Sequence, residues 1–137
     1  MWRWLKSTKE MQSQIYGYPL EAYEMAARGD IVLGVKQLTE YLNWNQTAAV
    51  QEMAEVREEF SWKPWATDAP FVNRDRIIDE IVDVNHFNGN ILTALGCTDE
   101  EYEYRYQRKQ QINRERALSG NYSAKKGGLA EGSDARS

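Results

Sequence analysis

Carboxylates recur in this chain at a spacing that puts them on one face of a helix. Glu52 and Glu55 stand three apart with Glu59 four further on, and Glu80 and Asp83 repeat the three-residue step. Residues three and four apart are surface neighbours on a helix. Both groups border an apolar stripe rather than standing opposite it: Ala49, Met53, Val56 and Phe60 for the first, Ile77, Ile81, Val84, Ile91 and Leu95 for the second. Two such helices packed antiparallel would bring Glu52, Glu55, Glu80 and Asp83 together. Like charges in a partly buried site repel unless a cation sits among them, and a hard divalent ion such as Mg²⁺ selects carboxylate oxygen while also binding phosphates. The bland alternative is a pair of solvated helix faces, and the position beside the core stripe is what favours a Mg²⁺ site.

A second stripe supplies the opposite chemistry. Tyr102, Tyr106, Lys109, Asn113 and Arg116 fall at steps of four, three, four and three, with Tyr122, Lys125 and Lys126 just beyond. Arg offers a fork of donors, Lys a point charge, and Tyr and Asn neutral hydrogen bonds, a set that suits a polyphosphate. A solubilising basic helix end would look similar. Trp44, Trp62 and Trp65 are candidates for stacking a base, against the commoner role of tryptophan in a core or interface. The chain holds one cysteine, Cys97, and one histidine, His86, so a zinc site of the usual Cys/His type is excluded and any metal must be held by oxygen.

Composition bounds the partners. Lys and Arg number 17 against 21 Asp and Glu, a net charge of −4 that provides no field for gripping duplex nucleic acid. The longest apolar runs, such as Ile31 to Leu33, are far below the roughly 20 residues a membrane span needs. The N-terminal Met1-Trp2-Arg3-Trp4-Leu5-Lys6 lacks the apolar stretch of a secretory signal, and the expected compartment is the cytoplasm.

The elements that must position these residues read as helices throughout. With 137 residues, 42% hydrophobic and 28% charged, the chain is sized for one all-α domain, a four- to five-helix bundle over residues 1–122 with a flexible tail over 123–137. After an ambiguous first stretch broken near Gly17 and Pro19, Asp30 is placed to cap a helix carrying Ile31, Val35, Leu38 and Leu42. Asn45 is expected to end that helix and cap the next, about Gln46 to Phe60. Pro64 and Pro70 make Ser61 to Val72 a loop. A helix of about Arg74 to Leu95 stops at Gly96, and Thr98 with Glu101 reads as a capping box opening the last, to about Leu118. Gly127 and Gly128 loosen the tail around Lys125 and Lys126.

The segment Glu52-Met-Ala-Glu55-Val-Arg-Glu-Glu-Phe60-Ser-Trp62-Lys63-Pro-Trp65, followed by Glu80-Ile-Val-Asp83-Val-Asn-His86-Phe87 and the Lys109, Asn113, Arg116 stretch, resembles the all-α NTP pyrophosphatases, which include dimeric dUTPases and MazG-like enzymes. The resemblance covers roughly residues 31 to 126. It implies a MazG-like bundle hydrolysing a nucleoside triphosphate to the monophosphate and pyrophosphate, with two or more Mg²⁺ ions, or Mn²⁺ in their place, on Glu52, Glu55, Glu80 and Asp83. Glu55 is the expected catalytic carboxylate. Lys63, Lys109, Asn113, Arg116, Tyr122 and Lys126 are the expected substrate contacts, and a homodimer or homotetramer the expected assembly. The Phe60 to Trp65 string favours the dUTPase branch and hence dUTP. The compact length and Asn121, standing between Gly120 and Tyr122, favour instead a viral-type MazG-like hydrolase of dGTP or several dNTPs. A different class, a non-catalytic helical adaptor that kept the fold, is the competing expectation.

Overall fold

Helices account for nearly all regular structure in the computed structural model, which describes residues 2–30 and 34–120. Helix α1 (Trp4–Glu10) runs on into a π-helical turn, Met11–Ile15. Helix α2 covers Leu20–Ala27, α3 covers Gly34–Val56 and continues into a 3₁₀ turn at Arg57–Glu59, α4 covers Arg74–Ala94 and α5 covers Asp99–Ser119. Among the described residues the sole β-type pairing is an isolated bridge between Phe60 and Val72. The all-α expectation holds. Ile31, part of the expected stripe, and the tail with Tyr122, Lys125, Lys126 and the Gly-Gly pair lie outside the described residues.

The chain divides into two compact units, Met1–Asp99, which contains α1 to α4, and a second from Glu100, seen as α5. In the first, α3 packs along α4, α2 against both, and α1 on α4. Its core joins Leu20, Tyr23 and Ala26 of α2 to Leu38 and Tyr41 of α3 and Ala94 of α4. The Tyr41 ring lies 4.8 Å from Tyr18 and 4.9 Å from Tyr23. Gly89 lets α1 approach α4 closely, because a Cβ there would stand 3.1 Å from Trp4 Nε1.

Several expected boundaries move. Asn45 neither ends nor starts a helix but is wholly buried in the middle of α3. Asparagine favours caps because its amide competes with the backbone. Here the Asn45 amide is occupied, Nδ2 donating to the Tyr41 carbonyl at 2.9 Å and Oδ1 accepting from Asn90 Nδ2 at 2.8 Å, so the helix continues. Asp30 closes the end of α2, its N–H donating to Met25 O and Gly29 N–H to Ala26 O in a Schellman motif, and its expected role as cap of the next helix falls on residues 31–33, outside the described residues. Met53 and Leu95, expected inside, are exposed, while Gly89, Asn90, Thr93 and Ala94 are the buried positions of α4.

The expected stop at Gly96 is present. Gly96 N–H donates to Thr93 O and Cys97 N–H to Leu92 O, with Gly96 at φ 78°. A left-handed conformation costs a residue with a Cβ roughly 1–2 kcal/mol, and here the Cβ would also meet the Glu24 carboxylate. Gly96→Ala is therefore expected to destabilise the fold by about that amount, read as a lower urea midpoint at unchanged slope.

The start of α1 has no side-chain cap of its own. Asp99, 94 residues away from Leu5, supplies one: its carboxylate accepts from Leu5 N–H at 2.8 Å and Lys6 N–H at 3.0 Å, with Arg3 Nε 3.8 Å off. This clasp ties the two ends of the first unit together.

Candidate metal centre and adjoining cavity

The seam between α3 and α4 is a series of antiparallel rungs. Glu59 meets Arg76, Glu55 meets Glu80, Glu52 meets Asp83 and Asn45 meets Asn90. Each step of three to seven residues down α3 is matched by an equal step up α4, which is why two E-x-x-E/D pairs come to face each other.

At the middle rungs, carboxylate oxygens of Glu52, Glu80 and Asp83 all lie within 4.8 Å of one another. Glu55 adjoins them, close enough to Glu80 for its charge to act on the Glu80 carboxyl. All four are half-buried. Partial burial, and then the charges of Glu55 and Asp83, push the Glu52 carboxyl above its usual range. Glu80 is pushed the same way by burial and then by Glu55, Glu52 and Asp83. The site holds excess negative charge. An all-oxygen set on two rigid helices, strained by mutual repulsion, fits a hard divalent cation such as Mg²⁺, which would relieve the repulsion.

Glu59 does not belong to this group, although its spacing suggested it. It is buried in the 3₁₀ turn, where Oε1 accepts from Asn73 Nδ2 at 3.0 Å and Arg76 Nε at 3.1 Å, and its main-chain O accepts from Asn73 N–H. The hydrogen bond from Asn73, joined by Arg76, holds its carboxyl below the usual range. With the Ser61 to Phe71 hydrogen bonds it closes the base of the proline-containing loop. A lowered native pKa gives stability that is present above the usual carboxylate range and lost as pH falls through the native value. Glu59→Gln is expected to unfold more easily than the parent at neutral pH, with the difference vanishing in acid; thermal melts across that range check it.

One turn beyond Asp83 the same helix borders a cavity of about 590 Å³ in the first unit. His86 links the two features: its Nδ1 lies 3.8 Å from Asp83 Oδ1, and it lines the cavity. Trp4, Tyr18, Trp44 and Phe87 form aromatic walls, with Trp44 edge-on to Phe87 at 6.1 Å, and Gln12 and Asn90 add buried amides. Of the tryptophans proposed for stacking, Trp44 is in this wall. Trp62 and Trp65 instead pair edge-to-face at 5.8 Å on the loop, with the Arg57 guanidinium 3.7 Å and Lys63 Nζ 5.7 Å from the Trp62 ring.

Of the remaining expected substrate contacts, Lys109, Asn113 and Arg116 fall in the second unit, and Tyr122 and Lys126 lie outside the described residues. Lys109 and Asn113 are exposed on α5, Arg116 is half-buried, and the tyrosines that begin the stripe stand 6.5 Å apart, with Tyr106 OH accepting from Gln110 Nε2. Sequence reasoning missed Gln12, Asn45 and Asn90. Gln12 lies in the stretch whose periodicity is broken by the π turn, and the two asparagines read as a cap and an ordinary helix residue. Comparison with protein-family models, curated proteins and solved structures gives no match to this chain. The class defined by fold and site is thus an all-α protein with a carboxylate cluster beside an aromatic cavity, and any finer reading rests on the residues themselves.

Proposed function

We propose that the protein is a Mg²⁺-dependent nucleoside triphosphate pyrophosphohydrolase, converting a deoxynucleoside triphosphate to its monophosphate and pyrophosphate. The observation that supports this reading is the adjacency, through Asp83 and His86, of an electron-rich carboxylate cluster and an aromatic cavity with room for a base. Such a cavity takes the planar base, leaving the phosphates to extend toward the carboxylates. Glu52, Glu55, Glu80 and Asp83 would hold Mg²⁺, which when bound neutralises the phosphates for attack by water. Glu55 is the carboxylate we assign to orienting or deprotonating that water. Lys63, Lys109, Asn113, Arg116, Tyr122 and Lys126 are the proposed phosphate and sugar contacts.

The preferred substrate we propose is dUTP, with dGTP or a broad dNTP range as the alternative. A screen of common NTPs and dNTPs with Mg²⁺, scored by pyrophosphate release and kcat/KM, tests both. A dUTP preference below about tenfold over dCTP and dTTP would reject a dedicated dUTPase, that ratio being only ~1.4 kcal/mol of transition-state discrimination. No release from any triphosphate would reject the hydrolase and leave the adaptor.

Val50, Met53, Ile78 and Val82 expose apolar side chains on α3 and α4, which supports a homodimer or homotetramer. Sedimentation at micromolar concentration should give a species of twice or four times 15.9 kDa, and a fully active monomer would contradict it. Among the described residues no helix is long and apolar enough to cross a membrane.

A further inference from the structure

The polar groups of the cavity are oriented by a buried relay. A main-chain carbonyl can only accept, so the 2.9 Å contact from Asn45 to Tyr41 O must be made by Asn45 Nδ2. Asn45 Oδ1 then faces Asn90, which must present Nδ2 to it at 2.8 Å. That leaves Asn90 Oδ1, an acceptor, as the free end of its amide. On the other side, Tyr41 OH donates to Gln12 Oε1 at 2.6 Å, leaving the Gln12 amino group as a donor. Burial, then Tyr18 and Tyr23, pushes the Tyr41 phenol well above its usual range, so it keeps the proton that it donates to Gln12. Gln12 and Asn90 are each 6% exposed, line the cavity, and make no further side-chain hydrogen bond among the described residues. A ligand that presents an N–H to Asn90 Oδ1 and an acceptor to Gln12 Nε2 would make both hydrogen bonds.

We infer that Asn45 and Tyr41 are positioning residues that fix the hydrogen-bond polarity of the cavity, holding Asn90 Oδ1 as acceptor and Gln12 Nε2 as donor. The cavity thereby selects an uncharged planar heterocycle whose edge carries an N–H beside an acceptor. This rests on the reading of the cavity as the base site, and gives that site a built-in direction. Asn45 is remote from the ligand and acts through Asn90.

The test is calorimetric binding of deoxyuridine, deoxyguanosine, deoxycytidine and deoxyadenosine to the full chain, each beside a counterpart methylated at its edge N–H. In the unaltered protein the best-binding parent should exceed its methylated form by about tenfold or more. Asn90→Leu should weaken the parent and spare the methylated form. Asn45→Leu, which frees the Asn90 amide to turn, should collapse the ratio, whereas Asn45→Asp, which keeps an oxygen for Asn90 Nδ2, should retain it. A purely structural Asn45 would weaken both ligands alike and leave the ratio unchanged, which overturns the inference. Equal binding of parent and methylated nucleosides by the unaltered protein overturns it without recourse to any variant. Triphosphate hydrolysis without binding of any parent nucleoside refutes the relay and spares the hydrolase. A methylation-sensitive site with no hydrolysis of any triphosphate does the reverse.

Discussion

Glu52→Gln, Glu55→Gln, Glu80→Gln and Asp83→Asn are each expected to lower Mg²⁺-dependent turnover by roughly 100-fold or more, the scale seen when a charge-stabilising group is removed from an active site. Each removes the charge of a proposed ligand and almost no volume, so the helical signal should be unchanged. Metal-free stability should move in a telling direction. Glu52 and Glu80 have native pKa values raised by burial and by neighbouring carboxylates, so the native state binds protons more tightly than the unfolded chain. The stability this gives is present below the usual carboxylate range and is lost as pH rises through the raised values. Without metal, Glu52→Gln and Glu80→Gln should therefore melt above the parent at neutral pH and level with it in acid. Mg²⁺ should raise the midpoint of the parent more than that of either variant. Near-parental turnover in two of the four variants would refute the metal assignment.

Leu5→Ala should destabilise the fold by about 2–5 kcal/mol, the range for truncating a fully buried leucine. Leu5 is 1% exposed and its N–H is one of the two held by Asp99. Truncation loosens the helix that supplies Trp4 to the cavity wall, so ligand affinity should fall along with the urea midpoint. Asp99→Ala removes the cap of the same helix, and because both changes release one element, their combined effect should be less than additive. Strict additivity would show that the cap and the core contact act independently.

The helical character and the two acidic pairs were legible because they depend on periodicity, which survives in one dimension. The stop at Gly96 was legible for a related reason: the motif is local and needs only a glycine after the last turn. What was hidden is tertiary. Asn45 looks like a cap until Asn90, 45 positions later, occupies its carbonyl. Glu59 continues the acidic spacing, yet Asn73 and Arg76 withdraw it into a loop clasp. The ambiguous first stretch is helical, but its π turn breaks the 3.6-residue rhythm that would have revealed it. The cap of α1 comes from Asp99, beyond the reach of any local pattern.

The rung-by-rung matching of α3 and α4 makes this seam more sensitive to chain length than to composition. Deleting one residue of α3 between Asn45 and Glu52 would turn everything downstream by about 100° and draw it back by about 1.5 Å. The amide rung would stay in step while the carboxylate rungs fell out of phase, facing solvent or core instead of each other. Substitutions at these positions act one rung at a time, whereas a single-residue deletion uncouples the cavity from the carboxylates at a stroke. Only compensating changes of matching length in both helices would bring the two parts of the site back into phase.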